Sequence, residues 1–249
     1  YKPGPSPVYY KPPEPRSTYN PGSSPHVLTR KEREELRKKE TENKLPARKK
    51  VIDSHPEISV YYNNGLAKAY SFSSQRFGFF NKAGRMIIPF QYNHADAFRE
   101  GYACVVLNGK CGYIDSNGRT QIQFIYEPYY GSFYSGFAAV KKNGKYGFID
   151  KAGKEVVPCI YEYASTFSGG LARMYRNGKY GYVDTTGQEV TPMDFQEARD
   201  FSDGMGAVRK DDHYGFVDNR GKMVVENIYQ DVGQFSRGVA AIKLNGKWG

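Results

Sequence analysis

The sequence predicts an all-β chain of tandem three-stranded antiparallel repeats, each of about 34 residues, arranged as a propeller-like ring or a β-solenoid behind a mostly extended N-terminal tail. Three observations predict it. One glycine recurs at Gly78, Gly112, Gly147, Gly181, Gly215 and Gly249, at intervals of 34 or 35 residues. Rings recur in phase with it, at Tyr92, Tyr126, Tyr161, Phe195 and Tyr229, and again at Phe98, Phe133, Phe167, Phe201 and Phe235. Asn-Gly pairs at 108–109, 143–144, 177–178 and 245–246 mark two-residue hairpins, because a type I′ turn needs positive φ at both central positions.

The tail comes first in chain order, residues 1–57. Residues 1–25 hold Pro3, Pro5, Pro7, Pro12, Pro13, Pro15, Pro21 and Pro25. Proline fixes φ and lacks an amide donor, so this stretch is expected to be extended or polyproline II. Pro12-Pro13-Glu14-Pro15 has the composition of a groove-binding ligand, and a spacer is the plainer reading. Thr29 and Glu32 form a capping box for a short charged helix near 29–45, which carries no apolar stripe and stops at Pro46. Residues 1–50 carry 13 Lys+Arg against 6 Asp+Glu, so most of the net charge of +10 sits in the tail. Arg48, Lys49 and Lys50 are the candidate tail contact, open to an acidic partner, anionic lipid or nucleic acid, with a solvated tether as the plainer reading. No aromatic interleaves them as a stacking platform would need, which argues against nucleic acid. No stretch approaches the ~18 apolar residues of a membrane helix. The chain opens on Tyr1 and stops at Gly249 inside a repeat, so both ends read as incomplete.

The repeat domain follows, residues 58–249. It divides into a partial unit 65–75, five units at 76–108, 109–143, 144–177, 178–211 and 212–245, and a partial unit 246–249. In the unit that starts at Gly144, strand A is Tyr146 to Asp150 and strand B runs from Lys154 to Tyr161. A longer loop from Glu162 to Gly170 leads to strand C, Leu171 to Arg176. Asn177-Gly178 then turns straight into the next strand A, so strand C pairs with strand A of the following unit in a continuous meander. Both faces of these strands are substantially apolar, so each unit is expected to be covered on two sides by its neighbours. Small residues at Ala103, Ala138, Ala172, Gly206 and Ala240 suit that close approach. No strand A precedes Gly65 and the last strand A lacks its B and C, which would let the two ends complete one blade.

Gly246-Lys247-Trp248-Gly249 carries the tripeptide Lys-Trp-Gly, and Gly144-Lys145-Tyr146-Gly147-Phe148-Ile149-Asp150 reads as the same motif with tyrosine for tryptophan. In these residues the chain resembles the bacterial WG (KWG) repeat proteins over residues 65–249. The resemblance implies a repeat architecture, a bacterial protein and a lean toward the cell envelope. It carries over no catalytic residue. Cys111 stands in the aromatic position, Asn81 in the Asp position, and Asp211-Asp212 in place of Asn-Gly.

Chemistry is sparse. Asp115, Asp150, Asp184 and Asp218 supply one acid per turn, whereas calcium needs six to eight clustered oxygens. Such aspartates are expected to bond their own turn backbone. The histidines, His26, His55, His94 and His213, form no metal spacing, and His94 and His213 fall in loops or turns. Cys104 and Cys111 lie diagonally across a hairpin and are expected to be free buried thiols. No catalysis, cofactor or metal is expected. The aromatic crowding at Tyr129, Tyr130, Phe133 and Tyr134 makes Tyr129, Tyr130 and Tyr134 the candidate contacts. The expected function is a protein-interaction or scaffolding module tethered by the tail, with cell-envelope carbohydrate binding as the alternative.

Overall fold

A computed structural model describes residue 34 and residues 58–63, 65–129 and 131–249. Of the expected tail helix only Glu34 falls among them, and it is helical and exposed. Arg48, Lys49, Lys50 and Tyr130 lie outside the described residues.

Among the described residues twenty-one strands form six antiparallel sheets in chain order. The first holds β1 (Ile58–Asn63), β2 (Leu66–Ser71), β3 (Arg76–Asn81) and β4 (Met86–Tyr92). The second holds β5 (His94–Ala95), β6 (Ala103–Leu107), β7 (Lys110–Ile114) and β8 (Thr120–Tyr126). The third is β9 (Phe137–Lys142), β10 (Lys145–Asp150) and β11 (Glu155–Tyr161), and the fourth is β12 (Tyr163–Ala164), β13 (Leu171–Arg176) and β14 (Lys179–Asp184). The fifth comprises β15 (Glu197–Ala198), β16 (Met205–Lys210), β17 (His213–Asp218) and β18 (Met223–Tyr229). The sixth has β19 (Asp231–Val232), β20 (Ile242–Leu244) and β21 (Lys247–Trp248).

The sheets are thus built on strand C, strand A and strand B, the sixth ending at its strand A, and a two-residue hairpin joins C to A in all but the first. The expected continuous meander is corrected here: the pairing breaks after every strand B. Strand B ends on its recurrent ring, and within two residues the chain joins the next sheet as a short extra strand beside strand C, as at Tyr92, Asn93 and His94. His94 therefore lies in a strand and not in a loop. In the fourth sheet strand B is reduced to isolated bridges Tyr180–Phe195 and Val183–Glu189. There the Thr191 hydroxyl accepts the Tyr182 amide at 3.0 Å, taking a ladder bond from the backbone.

The expectation that the chain ends share a blade is also corrected. The first sheet has a strand of its own, β1, paired from Ile58–Ser71 to Asn63–Leu66, and the last sheet is separate from it. The run Ile58-Ser59-Val60-Tyr61-Tyr62 has the β-branched and aromatic content that a strand favours.

Five apolar cores lie between successive sheets, as alternation in strands A and C predicts. Phe148 and Ala139 of the third sheet pack toward Ala172, Met174 and Val183 of the fourth. Ile149, Ala138 and Val140, pointing the other way, pack toward Tyr113, Ile122 and Tyr126 of the second. The recurrent phenylalanine closes each core against the ring of strand A, edge-on in four cores and tilted at 45° in the Phe148–Phe167 pair. The pairs are Phe79–Phe98, Tyr113–Phe133, Phe148–Phe167, Tyr182–Phe201 and Phe216–Phe235, with centroids 4.4–5.1 Å apart. Cys104 and Cys111 are both free and buried in one of these cores, so the cysteine fills the aromatic position as an apolar residue. The Cys111 thiol beside it and burial push the Cys104 thiol pKa up.

Turn chemistry follows the sequence closely. Asp115, Asp150, Asp184 and Asp218 each accept two backbone amides through Oδ1, two and four residues on, at 2.9–3.0 Å. Asn81 Oδ1 does the same for Ala83 and Arg85, so the exchange of Asp for Asn keeps the turn. Asp211 and Asp212 hold φ of 48° and 62°, the left-handed geometry of the Asn-Gly turns. Only Asp212 lacks the glycine found at the second position of those turns. Asp212→Gly should therefore stabilise the chain by about 1 kcal/mol, raising Tm by about 2–4 °C. The ion pair it gives up, to Arg209 at 2.9 Å, is exposed and worth little. A thermal scan that shows no rise would refute this account of the turn.

Candidate functional site

One unit of the repeat carries an inserted residue, and the candidate site sits on it. From the ring that ends strand B to the recurrent phenylalanine, Tyr126 to Phe133 is one residue longer than Tyr92 to Phe98, Tyr161 to Phe167, Phe195 to Phe201 and Tyr229 to Phe235. That same segment holds Pro128, which has no amide for a ladder. In the second, fourth, fifth and sixth sheets it forms the short strand, whose second residue (Ala95, Ala164, Ala198 or Val232) is buried. Among the described residues the third sheet has no such strand.

Backbone bonds trace the departure. Glu127 N donates to Lys141 O at 2.8 Å, just as Asn93 does to Val106 and Glu162 to Tyr175. The next bond of neighbouring sheets, Asp96 to Cys104 or Ser165 to Arg173, would fall on Tyr130, outside the described residues. Gly131 N turns back to Tyr129 O at 2.8 Å. Gly131 lies so close to strand C that a Cβ on it would stand 1.9 Å from Ala139 O. The second sheet anchors the loop, with the Tyr113 hydroxyl donating to Gly131 O at 2.6 Å.

Beside this loop a cleft opens on the core of the third sheet. Tyr129, Gly131, Tyr134, Phe137, Phe148 and Phe167 are among the residues that line it. Its cavity volume is about 100 Å³. Sites for drug-sized ligands run to roughly 300–1,000 Å³, so this one suits a single inserted side chain. Tyr134 is exposed (39%), and the Arg99 guanidinium covers its ring at 4.7 Å. Burial raises the Tyr129 hydroxyl pKa, with Tyr146 and Tyr163 close by, so that hydroxyl stays protonated at neutral pH. Its ring meets Tyr146 edge-on at 4.9 Å. Beside the cleft, Glu100 accepts the Gly136 amide at 3.0 Å and pairs with Lys151 at 3.2 Å. Burial works to raise the Glu100 pKa, but those two bonds hold it below the usual carboxylate value. The cleft can thus grip an apolar group between rings, with hydroxyls and backbone groups at its edge.

Of the sequence-predicted contacts, the structure brings Tyr129 and Tyr134 to one cleft. Sequence reasoning missed Phe137, Phe148 and Phe167 in its lining, because their spacing reads only as core. It also missed Tyr146, Tyr163, Tyr175 and Tyr180, which extend an aromatic face from Tyr129 over the third and fourth sheets. Lys141 covers Tyr146 at 5.2 Å, and Arg173 lies over Tyr163 at 5.4 Å. One further repeated feature went unread. The polar residue after each recurrent ring caps the next hairpin, as Glu127 does for Gly144 N at 2.8 Å and Gln230 for Gly246 N at 2.6 Å. The signal was present as Asn93, Glu127, Glu162, Gln196 and Gln230.

Comparison with known families decides the relationship. The family described as WG containing repeat matches residues 77–111, 112–146, 146–180, 180–212 and 214–248. The chain belongs to the WG-repeat family. No curated protein matches it. Among solved structures, Kluyveromyces lactis Hsv2 aligns at 12% identity and TM-score 0.38, covering 74% of this WG-repeat chain and 69% of that one. A eukaryotic initiation factor aligns at 10% identity and TM-score 0.46, covering 73% and 57%. PorZ, a surface component of the type-IX secretion system of Porphyromonas gingivalis, aligns at 12% identity and TM-score 0.30, covering 74% and 29%. The WG-motif glycines have a common role. Strand B bulges over strand A at this point, and a Cβ on Gly78, Gly112, Gly147 or Gly215 would stand 2.3–2.7 Å from a strand B carbonyl.

Proposed function

We propose that this WG-repeat chain is a non-catalytic protein-interaction module that grips a partner side chain in the Tyr129–Tyr134 cleft, with the basic tail as its tether. The observation that supports it most is the coincidence of the segment with the inserted residue and an apolar opening sized for a single residue. Local departures from an otherwise consistent pattern are where binding sites tend to be built. The neighbouring cores, each closed by its phenylalanine pair, supply a rigid support.

Capture from native extract on immobilised full-length chain tests the reading. Tyr134→Ala should lower retention of a specific partner roughly tenfold, the loss expected for an aromatic anchor. Tyr134 is exposed, so the fold should survive, as a circular dichroism scan would show. Identical captured sets for the wild type and Tyr134→Ala would defeat this function. Carbohydrate binding is the second reading, favoured by the tyrosine face at Tyr146, Tyr163, Tyr175 and Tyr180. It calls for glycan affinity that falls on Tyr163→Ala.

A further inference from the structure

The cleft and the tail carry complementary chemistry. Polyproline II ligands bind by setting proline rings between aromatic side chains, with little ordering cost because proline is already fixed. The cleft offers the rings of Tyr129, Tyr134 and Phe137 in its lining, and its volume of about 100 Å³ accommodates one ring of that size. The aromatic face continues past Tyr129 to Tyr146, which gives a second, shallower platform beside the first. The tail supplies Pro12, Pro13 and Pro15 with Glu14 among them, an acid for the Arg99 guanidinium stacked on Tyr134.

Length permits the meeting. Residues 26–57 separate the proline-rich stretch from β1, a tether of 32 residues. Such a chain spans ~100 Å at full extension and ~30 Å on average if flexible. The cleft lies on the third sheet and the tether starts from the first. With packed sheets ~10 Å apart, the span required is roughly 20–30 Å.

We propose that the chain's own proline-rich residues 1–25 dock in the Tyr129–Tyr134 cleft, with a proline ring in the opening and the segment lying along Tyr129 toward Tyr146. The proposal rests on the reading of this cleft as a partner site and names the chemistry it selects. A tethered ligand acts at an effective concentration in the millimolar range, so an outside partner must compete with it. The tail then sets the threshold for partner capture.

The test uses a fluorescent peptide of residues 1–25 and full-length chains, read by anisotropy. A chain with Pro12, Pro13 and Pro15 all changed to Ala has a weakened internal competitor. It should take up the peptide saturably, roughly tenfold or more tighter than the wild type does. Adding Tyr134→Ala to that chain should cost roughly tenfold in affinity, and Tyr134→Phe should restore it. No saturable uptake by the proline-substituted chain overturns the proposal, and so does uptake that Tyr134→Ala leaves unchanged. Uptake of soluble peptidoglycan fragments in place of the peptide, sensitive to Tyr134, overturns it in favour of a sugar site. Partner capture that fails on Tyr134→Ala while the peptide never binds would leave the interaction module standing and remove only the docked tail.

Discussion

Gly147→Ala should destabilise the chain by about 3 kcal/mol, the upper part of the range for overpacking. The added Cβ would stand 2.4 Å from Val157 O, 2.8 Å from Cys159 N and 2.8 Å from the Pro158 carbonyl carbon. All three are backbone atoms, so no rotamer change relieves the clash. Strand B is held there by its bridges Tyr146–Tyr161 and Phe148–Val157, on either side of the bulge. Moving it away would open the core shared with the fourth sheet, because Val157 and Tyr161 both belong to it. Urea unfolding followed by circular dichroism measures the loss, with Ala152→Gly in the neighbouring turn as control. A midpoint within experimental scatter of the wild type would mean that strand B can shift freely, and the assigned role of the motif glycine would be wrong.

Tyr182→Ala should cost about 4 kcal/mol, within the range for removing a large buried ring. Tyr182 is fully buried, meets Phe201 edge-on at 4.7 Å, and belongs to the core between the fourth and fifth sheets. Its hydroxyl donates to Arg199 O at 2.5 Å and lies 3.3 Å from Ala207 O. Gly206 makes room for it, since a Cβ there would stand 2.8 Å from that hydroxyl. Tyr182→Phe isolates the polar part and should cost about 1–2 kcal/mol by leaving the carbonyl unpaired. Phe79, Phe148 and Phe216 occupy the same position in other sheets, so the ring itself fits. Because the apolar cores lie between successive sheets, hydrogen exchange should rise first in β13 to β18, and a uniform rise over all sheets would contradict the modular packing.

Much of the fold was legible because it is local. Asn-Gly at 143–144 specifies its hairpin by dihedral preference alone, and Asp150 specifies its turn through one side-chain oxygen. Alternation in Tyr146-Gly147-Phe148-Ile149 assigned the two faces, and those faces found their neighbours. The site was legible only in part. Tyr129 and Tyr134 stood out as crowded rings, and the 35-residue interval recorded an insertion. That Gly131 would press on Ala139 O beside a cleft lined by Phe148 depends on two strands distant in sequence, which no local pattern encodes.

The sequence by itself determined the period, the strands, the turn types and the two-sided apolar cover, since each follows from preferences acting over a few residues. Tertiary structure alone decided that the pairing breaks after strand B into six sheets, that β1 completes the first of them, and that the motif glycine lies under a bulge. The physical reason is that hydrogen-bond partners at a sheet edge and contacts at a bulge are settled by competition between segments about 34 residues apart. The lengths of Tyr126 to Phe133 and of its counterparts are written in the chain. Where the extra residue goes is chosen only when the neighbouring sheet is in place.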